Sequence, residues 1–258
     1  VINVDDKRIK VFGEELKAIG HLVVTLGVSG EPNIKLKKQS FDSSGQNVFF
    51  EYDGRLYQKR LNLIGGFQAK NVLMAAALVI SLGSDPQDVF SVLHNLLTVK
   101  GRMELAASRA NGANVFIDYA HTPDAIETAI TSLRPHVFGR IIAVIGAGGD
   151  RDQSKRPLMG LAASKNADVV IVTDDNPRSE DPAKIRQMII KGIGPGISHE
   201  CGDRAEAILR AVDMLDVGDA LLICGKGHET GQVIGEDVLP FDDAEQASIS
   251  VEALDGVL

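Results

Sequence analysis

The fold of this chain is decided by the stretch "NVFIDYAHTPDAIETAI", residues 114–130. It opens with a short, nearly continuous apolar run, which is typical of a parallel strand buried on both faces. Thr122 can then cap a helix, and Pro123 has the fixed φ that suits the first helical position. The stretch therefore predicts a buried strand that leads directly into a helix.

The same alternation of strand and helix continues from about Gly112 to the end of the chain. Three further apolar runs have the length of buried strands: "RIIAVIGA" (140–147), "ADVVIVT" (167–173) and "DALLICG" (219–225). Helical stretches begin near Pro157, Asp181 and Asp203. This alternation predicts a doubly wound, Rossmann-like α/β domain with a parallel sheet. We place that domain at residues 108–258.

Residues 1–107 have a different pattern, rich in strands. Four β-branched or alternating runs are separated by turn residues: "HLVVTLGV" (21–28), "NIKLKKQSF" (33–41), "NVFFEYDG" (47–54) and "RLYQKRL" (55–61). Asp53-Gly54 is a strong signal for a two-residue hairpin. Two helices should follow, the first closed by Gly83 and the second starting at Ser84 or Asp85. We expect this part to be a separate domain.

Composition narrows the possible functions. The 27 Lys and Arg residues against 35 Asp and Glu residues give a net charge of −8, so the basic footprint of a nucleic-acid-binding protein is absent. Cys201 and Cys224 have no metal or redox spacing, which fits a reducing compartment. No apolar run is long enough for a membrane span, and no signal peptide opens the chain. We expect a cytoplasmic protein, and from the start at Val1 we expect a fragment, with a processed terminus as the alternative.

Four of the predicted strands end in charged or glycine-rich loops. Asp118 and His121 follow the first strand, Arg151 follows the second, and the loops "DDNPR" (174–178) and "GKGHE" (225–229) follow the other two. Ligands of open α/β sheets bind outside the carboxyl ends of the strands. We therefore predict one charged pocket, with polar turns and helix caps as the plainer alternative.

Widespread catalytic motifs do not explain this pocket. Gly146 and Gly148 match the first two glycines of a dinucleotide fingerprint, but Arg151 replaces the third. The sequence also contains no G-x-x-x-x-G-K-[ST], H-E-x-x-H or G-x-S-x-G motif.

Five motifs nevertheless occur together in one order: "GRMELAA" (101–107), "DYAHTPDAIE" (118–127), "GAGGDRDQSKRPLMG" (146–160), "TDDNPR" (173–178) and "GKGHE" (225–229). With these motifs the chain resembles the Mur ligase family, in its diaminopimelate-adding branch. The resemblance implies that residues 1–107 are the later part of the central ATP-binding domain and that residues 108–258 are the C-terminal domain, which binds the incoming amino acid. It also implies that a UDP-binding domain and a phosphate loop precede Val1, so we expect the chain to be inactive alone.

The resemblance implies an amide-forming reaction of peptidoglycan precursor synthesis. ATP and Mg²⁺ are the expected cofactors. A carboxylate of UDP-N-acetylmuramoyl-L-alanyl-D-glutamate is converted to an acyl phosphate, and the amine of meso-2,6-diaminopimelate then attacks to form the amide. The expected partners are these two substrates and the missing N-terminal portion of the same polypeptide, with no nucleic acid and no membrane insertion.

The resemblance also assigns residues to the substrates. ATP is expected at Asn71, Arg102, Asp118 and His121, of which Arg102 and Asp118 are the catalytic candidates. Diaminopimelate is expected at Arg151, Asp175, Asn176, Pro177, Arg178, Gly225 and Glu229. No metal ligand is assigned. The stretch "GGFQAKN" departs from the family pattern at Gln68, so only Asn71 is carried over.

Arg178 favours diaminopimelate as the amino acid, because a guanidinium can grip its second carboxylate with two hydrogen bonds. Two alternatives stay open. A lysine-adding ligase of the same family is disfavoured, since Arg178 would then face an ammonium. A non-catalytic module that binds an amino acid would keep the pocket without the ATPase.

Overall fold

The structure is a computed structural model that describes residues 1–194 and 198–257. It divides the chain into two compact units, Val1–Leu97 and Thr98–Leu258. The division therefore falls ahead of the expected boundary at residue 107. The reason is the strand Arg102–Ser108, which pairs antiparallel with Asn114–Asp118 and so joins the second sheet.

The first unit contains a five-stranded mixed sheet with helices. Its elements are β1 (Ile2–Asn3), α1 (Lys7–Ala18), β2 (Thr25–Gly27), β3 (Ile34–Asp42), β4 (Gly45–Tyr52), β5 (Arg55–Leu61), α2 (Phe67–Ser81) and α3 (Pro86–Ser91). The sheet has the order β1-β2-β3-β4-β5, parallel from β1 to β3 and antiparallel from β3 to β5. Its core includes Leu26, Ile34, Phe50 and Phe90, which are fully buried.

The predicted hairpin between β4 and β5 is confirmed. Asp53 and Gly54 have φ angles of 48° and 69°, the left-handed values that a type I′ turn needs at both central positions. Asp85 caps α3 by accepting the N–H groups of Gln87 and Asp88. Helix α1 was not predicted from the sequence, although Asp6 is a residue type that commonly caps helices.

The second unit is built on a six-stranded sheet. Its elements are β6 (Arg102–Ser108), β7 (Asn114–Asp118), α4 (Pro123–Leu133), β8 (Ile141–Ile145), α5 (Lys155–Asn166), β9 (Val169–Val172), α6 (Pro182–Ile190), β10 (Ser198–Glu200), α7 (Arg204–Asp213), β11 (Ala220–Cys224), β12 (Gly231–Ile234), β13 (Asp237–Pro240) and α8 (Asp243–Leu254). Strands β12 and β13 form a separate antiparallel hairpin. All four strands predicted between residues 114 and 225 are present.

The six strands have the order β10-β9-β8-β11-β7-β6, and only the β6–β7 pair is antiparallel. The predicted doubly wound α/β fold is thereby confirmed. The chain runs outward from β8 to β9 and β10 and returns to β11, which lies between β8 and β7. The strand order reverses at this point, so the loops after β8 and β11 diverge and leave a crevice at the carboxyl ends.

A buried ion pair ties α7, α8 and β11 together below that crevice. Arg204 and Asp243 are both fully buried, and Arg204 Nη2 lies 2.7 Å from Asp243 Oδ2. The same nitrogen donates to the carbonyl oxygen of Cys224 at 3.0 Å. Because breaking one side of a buried pair leaves an uncompensated charge, the loss of either residue would destabilise the second unit.

In the part of the chain that the structure describes, no helix combines the length and apolar character needed to cross a membrane.

Candidate ligand site

A cavity of about 260 Å³ opens where the loops after β7, β8, β9 and β11 meet. It is lined by Tyr119, His121, Gly146, Ala147, Gly148, Arg151, Lys155, Asp175, Asn176, Arg178, Gly225 and Glu229. Four segments that are distant in sequence thus converge, because the carboxyl ends of parallel strands share one edge of the sheet.

Most residues predicted for the amino acid lie in this one cavity. Arg151, Asp175, Asn176, Arg178, Gly225 and Glu229 all line it. Pro177 is not among the lining residues; it is buried, and its carbonyl oxygen accepts the N–H of Glu180 at 3.0 Å. Pro177 therefore shapes the loop from behind the cavity wall.

The cavity carries charges of both signs. Arg151, Lys155 and Arg178 supply positive groups, and Asp175 and Glu229 supply carboxylates. Within residues 1–194 and 198–257, none of these five side chains forms an ion pair with another residue. Charged groups of both signs that form no close ion pair within the protein fit a ligand that itself carries both carboxylate and ammonium groups.

Arg178 is held in an unusual backbone conformation, with φ at 51°. Its N–H donates to the carbonyl oxygen of Val233 at 3.0 Å, and its own carbonyl oxygen accepts the N–H of Gly235 at 2.8 Å. Non-glycine residues persist in this region only where their surroundings hold them. The β12–β13 hairpin therefore fixes the backbone of Arg178 from both sides.

The guanidinium of Arg178 has one occupied and one open edge. Nη1 donates to the carbonyl oxygen of Gly149 at 2.8 Å. Among the described residues, Nε and Nη2 have no hydrogen-bond partner. These two nitrogens form one planar edge, which matches the two oxygens of a carboxylate.

Gly225 is required by a close approach to Asp175. A Cβ atom at Gly225 would lie 2.5 Å from Asp175 Oδ2, and φ at this glycine is +117°. The other carboxylate oxygen of Asp175 accepts the N–H of Asn176 at 2.7 Å. The glycine thus allows the loop after β11 to pack directly against a carboxylate that lines the cavity.

The side chain of Asn176 links the loop after β9 to the loop after β11. Its Nδ2 donates to Glu229 Oε2 at 2.9 Å, and its Oδ1 accepts Lys226 Nζ at 2.8 Å and the N–H of Val233 at 3.0 Å. The resemblance placed Asn176 among the residues expected to bind diaminopimelate. In the structure these side-chain bonds are made within the protein.

The residues of the second unit that are expected to bind nucleotide lie at the edge of the cavity, and His121 is one of its lining residues. The guanidinium carbon of Arg102 lies 4.7 Å from the centre of the Tyr119 ring. The ring of His121 lies 4.6 Å from the same Tyr119 ring, and its Nδ1 is 2.8 Å from the carbonyl oxygen of Tyr119. Tyr119 therefore joins the predicted nucleotide residues to the cavity.

Thr122 caps helix α4, as predicted, and Asp118 has other partners. The two carboxylate oxygens of Asp118 accept the N–H groups of Met103 at 2.8 Å and Ala120 at 2.9 Å. Burial raises the pKa of this carboxyl above its usual value, against the effect of the two amide donors and of Arg102. Asp118 thus orders the loop after β7 and the start of β6.

Asn71 lies in the other unit, on the exposed side of α2, where its Nδ2 is 3.4 Å from Gln68 Oε1. Asn71 is not among the residues that line the cavity of the second unit.

Three residues that the structure places at the site were assigned to no substrate from the sequence. Tyr119 and Lys155 line the cavity, and Lys226 lies behind it. All three occur inside the quoted motifs, so their motif position was the available signal. Their roles depend on three-dimensional contacts that spacing alone does not reveal.

Among the residues that the structure describes, no three His, Cys, Asp or Glu side chains are placed to hold a metal ion together.

Comparisons with known families match both units. The Mur ligase middle domain matches residues 1–79, and the Mur ligase, glutamate ligase domain matches residues 101–227.

Proteins named UDP-N-acetylmuramoyl-L-alanyl-D-glutamate--2,6-diaminopimelate ligase are similar to the chain. That of Caulobacter vibrioides is 43% identical over 257 residues, which are 100% of this chain and 52% of the relative. That of Bradyrhizobium diazoefficiens is 47% identical over 241 residues, 91% of this chain and 48% of the relative. The chain spans about half the length of the curated relatives it matches.

Solved structures show the same similarity. A structure of a UDP-N-acetylmuramoyl-L-alanyl-D-glutamate--2,6-diaminopimelate ligase is 31% identical, with a TM-score of 0.73, and the match covers 98% of this chain and 53% of that one. Folylpolyglutamate synthase of Mycobacterium tuberculosis, complexed with ADP and AMPPCP, shares the fold at 21% identity and a TM-score of 0.67, over 97% of this chain and 53% of that one.

Proposed function

Because this chain belongs to the Mur ligase family, we propose that it is the amino-acid-binding part of an ATP-dependent amide ligase. The proposed reaction joins meso-2,6-diaminopimelate to UDP-N-acetylmuramoyl-L-alanyl-D-glutamate. In this proposal the first unit is the later part of the central ATP-binding domain. The second unit is the C-terminal domain, which presents the amino acid.

The observation that carries the proposal is the open Nε–Nη2 edge of Arg178 in a cavity lined by charged groups of both signs. Diaminopimelate has an ammonium and a carboxylate at each end. The distal carboxylate fits the open edge of Arg178, and the distal ammonium fits Glu229 and Asp175. Arg151 and Lys155 are the further cations for the remaining carboxylate.

The nucleotide is proposed to bind at the edge of this cavity, at Arg102, Asp118 and His121. Each oxygen of Asp118 accepts one backbone N–H and keeps a lone pair for a ribose hydroxyl. The exposed guanidinium of Arg102 suits a phosphate oxygen. Bound ATP supplies the phosphoryl group that activates the carboxylate.

Mg²⁺ enters the proposal through the phosphates of ATP. The proposal assigns no residue of this chain as its ligand. The chain alone is proposed to be inactive, since its sequence lacks the phosphate loop whose backbone amides and lysine hold the transferring phosphate. A cytoplasmic location is proposed as well, supported by two buried free cysteines.

A lysine-adding ligase is the second candidate within the family. The open edge of Arg178 argues against it, since lysine has an ammonium where diaminopimelate has a second amino-acid end. A non-catalytic module that binds an amino acid is the other alternative, and it would bind diaminopimelate without forming an amide.

The decisive experiment measures amide formation by the full-length gene product with ATP, Mg²⁺, the UDP-linked dipeptide and either diaminopimelate or lysine. We expect product and inorganic phosphate with diaminopimelate and neither with lysine. Equal use of lysine would favour the first alternative. Binding of diaminopimelate without phosphate release would favour the second.

A further inference from the structure

Lys226 is a buried cation whose ammonium lies behind the cavity wall. The residue is fully buried and does not line the cavity. Its Nζ donates to Asn176 Oδ1 at 2.8 Å and to the carbonyl oxygen of Gly231 at 2.7 Å. One ammonium thus connects the loop after β9 with the start of the β12–β13 hairpin.

These contacts determine which way the Asn176 amide points. Lys226 Nζ and the backbone N–H of Val233 can only donate hydrogen bonds, so the group that they share must be the oxygen of Asn176. The amide nitrogen must then face the other way, toward the carboxylate of Glu229, which can only accept when ionised. A reversed amide would set donor against donor and acceptor against acceptor.

Glu229 is the cavity residue at the end of this chain of contacts. Its Oε2 accepts Asn176 Nδ2 at 2.9 Å, and its backbone N–H donates to the carbonyl oxygen of Lys226 at 3.0 Å. Both contacts run through the Lys226–Asn176 pair. The carboxylate is therefore held in one direction while it stays accessible from the cavity.

A charge at this buried position has a free-energy cost that an apolar side chain would avoid. Burial lowers the pKa of Lys226, and the neighbouring carboxylate of Asp175 opposes that shift. Methionine could fill the space that the long apolar stem of Lys226 occupies. What methionine cannot supply is the donor that orients Asn176.

We infer that Lys226 is a positioning residue for the amino-acid substrate: it orients Asn176, and Asn176 orients Glu229 toward the substrate ammonium. This inference rests on the proposed function. It assigns to Lys226 a role in substrate recognition without direct contact with the substrate.

The test is Lys226→Met in the full-length gene product, because methionine keeps the apolar volume and removes the donor. We expect kcat/KM for diaminopimelate to fall about tenfold, the size of one lost hydrogen bond to a charged group, while KM for ATP stays within about twofold. Arg109→Met is the matched control. It breaks an ion pair with Asp255 far along the chain from both loops, so diaminopimelate kinetics should not change.

A double-mutant cycle separates positioning from general destabilisation. If Lys226 acts through Asn176, Lys226→Met should add no further loss to Asn176→Ala. Additive losses, or unchanged diaminopimelate kinetics in Lys226→Met, overturn the inference and leave the proposed function standing. A wild-type gene product that does not use diaminopimelate overturns both.

If Lys226→Met does not fold, the variant Asn176→Asp tests the same inference. It keeps an oxygen for Lys226 and Val233 but turns a second oxygen toward Glu229 in place of the donor. The expected result is again about a tenfold loss for diaminopimelate with KM for ATP within about twofold. Unchanged kinetics for diaminopimelate would overturn the inference.

Discussion

Arg178 Nη1 donates a hydrogen bond to the carbonyl oxygen of Gly149 at 2.8 Å. This contact joins the loop after β9 to the loop after the neighbouring strand β8. It also orients the guanidinium so that its Nε–Nη2 edge is the part left for a ligand. The specificity proposed for the site therefore depends on a bond between two loops, in addition to the charge of the arginine.

Arg178→Ala should weaken the use of diaminopimelate by about 2 to 5 kcal/mol, because a desolvated carboxylate of the substrate loses its bidentate partner. Arg178→Lys should recover only part of the loss, since an ammonium cannot form the planar two-pronged contact. Steady-state kinetics of the full-length gene product would measure both. Arg210→Ala is the control, because Arg210 is an exposed helix residue paired with Glu206. An unchanged KM for diaminopimelate in Arg178→Ala would mean that this loop is only a polar turn.

Asp118→Asn should affect ATP more than diaminopimelate. The substitution removes the charge and replaces one acceptor oxygen, so we expect KM for ATP to rise about tenfold. The KM for diaminopimelate should change less. Asp124→Asn, in the first turn of α4, is the matched control and should leave both constants unchanged. A larger rise in the KM for diaminopimelate than in the KM for ATP would mean that Asp118 has been assigned to the wrong substrate.

Gly225→Ala should destabilise the second unit and impair diaminopimelate use. The alanine would have to adopt a backbone φ of +117°, which disfavours any residue with a Cβ atom. Its Cβ would also lie 2.5 Å from Asp175 Oδ2. Gly112→Ala is the control, because Gly112 has φ +88° and open space around it. Urea unfolding followed by circular dichroism should show a loss of about 1 kcal/mol for the control and about 1 to 3 kcal/mol more for Gly225→Ala. Equal losses would show that Asp175 moves aside freely.

Glu180 should make stability depend on pH in the acid range. The buried guanidinium of Arg156 forms two 2.8 Å contacts with this carboxylate and lowers its pKa from the usual 4.5 to about 2. A carboxyl with a depressed pKa in the folded state contributes stability above the unfolded value, so the contribution is present above about pH 4.5 and is lost as the pH falls toward about 2.

Glu180→Gln should therefore lower the free energy of unfolding at pH 7 and flatten its decline between pH 4.5 and 2. Urea titrations at several pH values would measure the difference. Glu206→Gln removes a carboxylate from an exposed pair and should change little. The prediction would be contradicted if the free energy of unfolding fell equally steeply with decreasing pH in wild type and in Glu180→Gln.

Several elements could be predicted from the sequence because their causes are local. The hairpin at Asp53-Gly54 follows from the turn chemistry, and α4 begins at Pro123 because Thr122 caps it. The parallel strands could be predicted because each is a short, nearly continuous apolar run. Strand β6 was missed, since its seven residues form an edge strand with several exposed positions and no continuous apolar run.

The sequence by itself determined the α/β class and the motifs at the strand ends, including the presence of Arg178, Asn176 and Glu229 in loops. Only the tertiary structure decided what these side chains do: which edge of Arg178 is open, and that Asn176 is bonded to Lys226 and Glu229. The partners are separated by 50 and 53 positions along the chain. The physical reason is that strand and helix signals act over a few neighbouring residues, whereas a hydrogen bond between loops exists only after the strand order has brought the loops together.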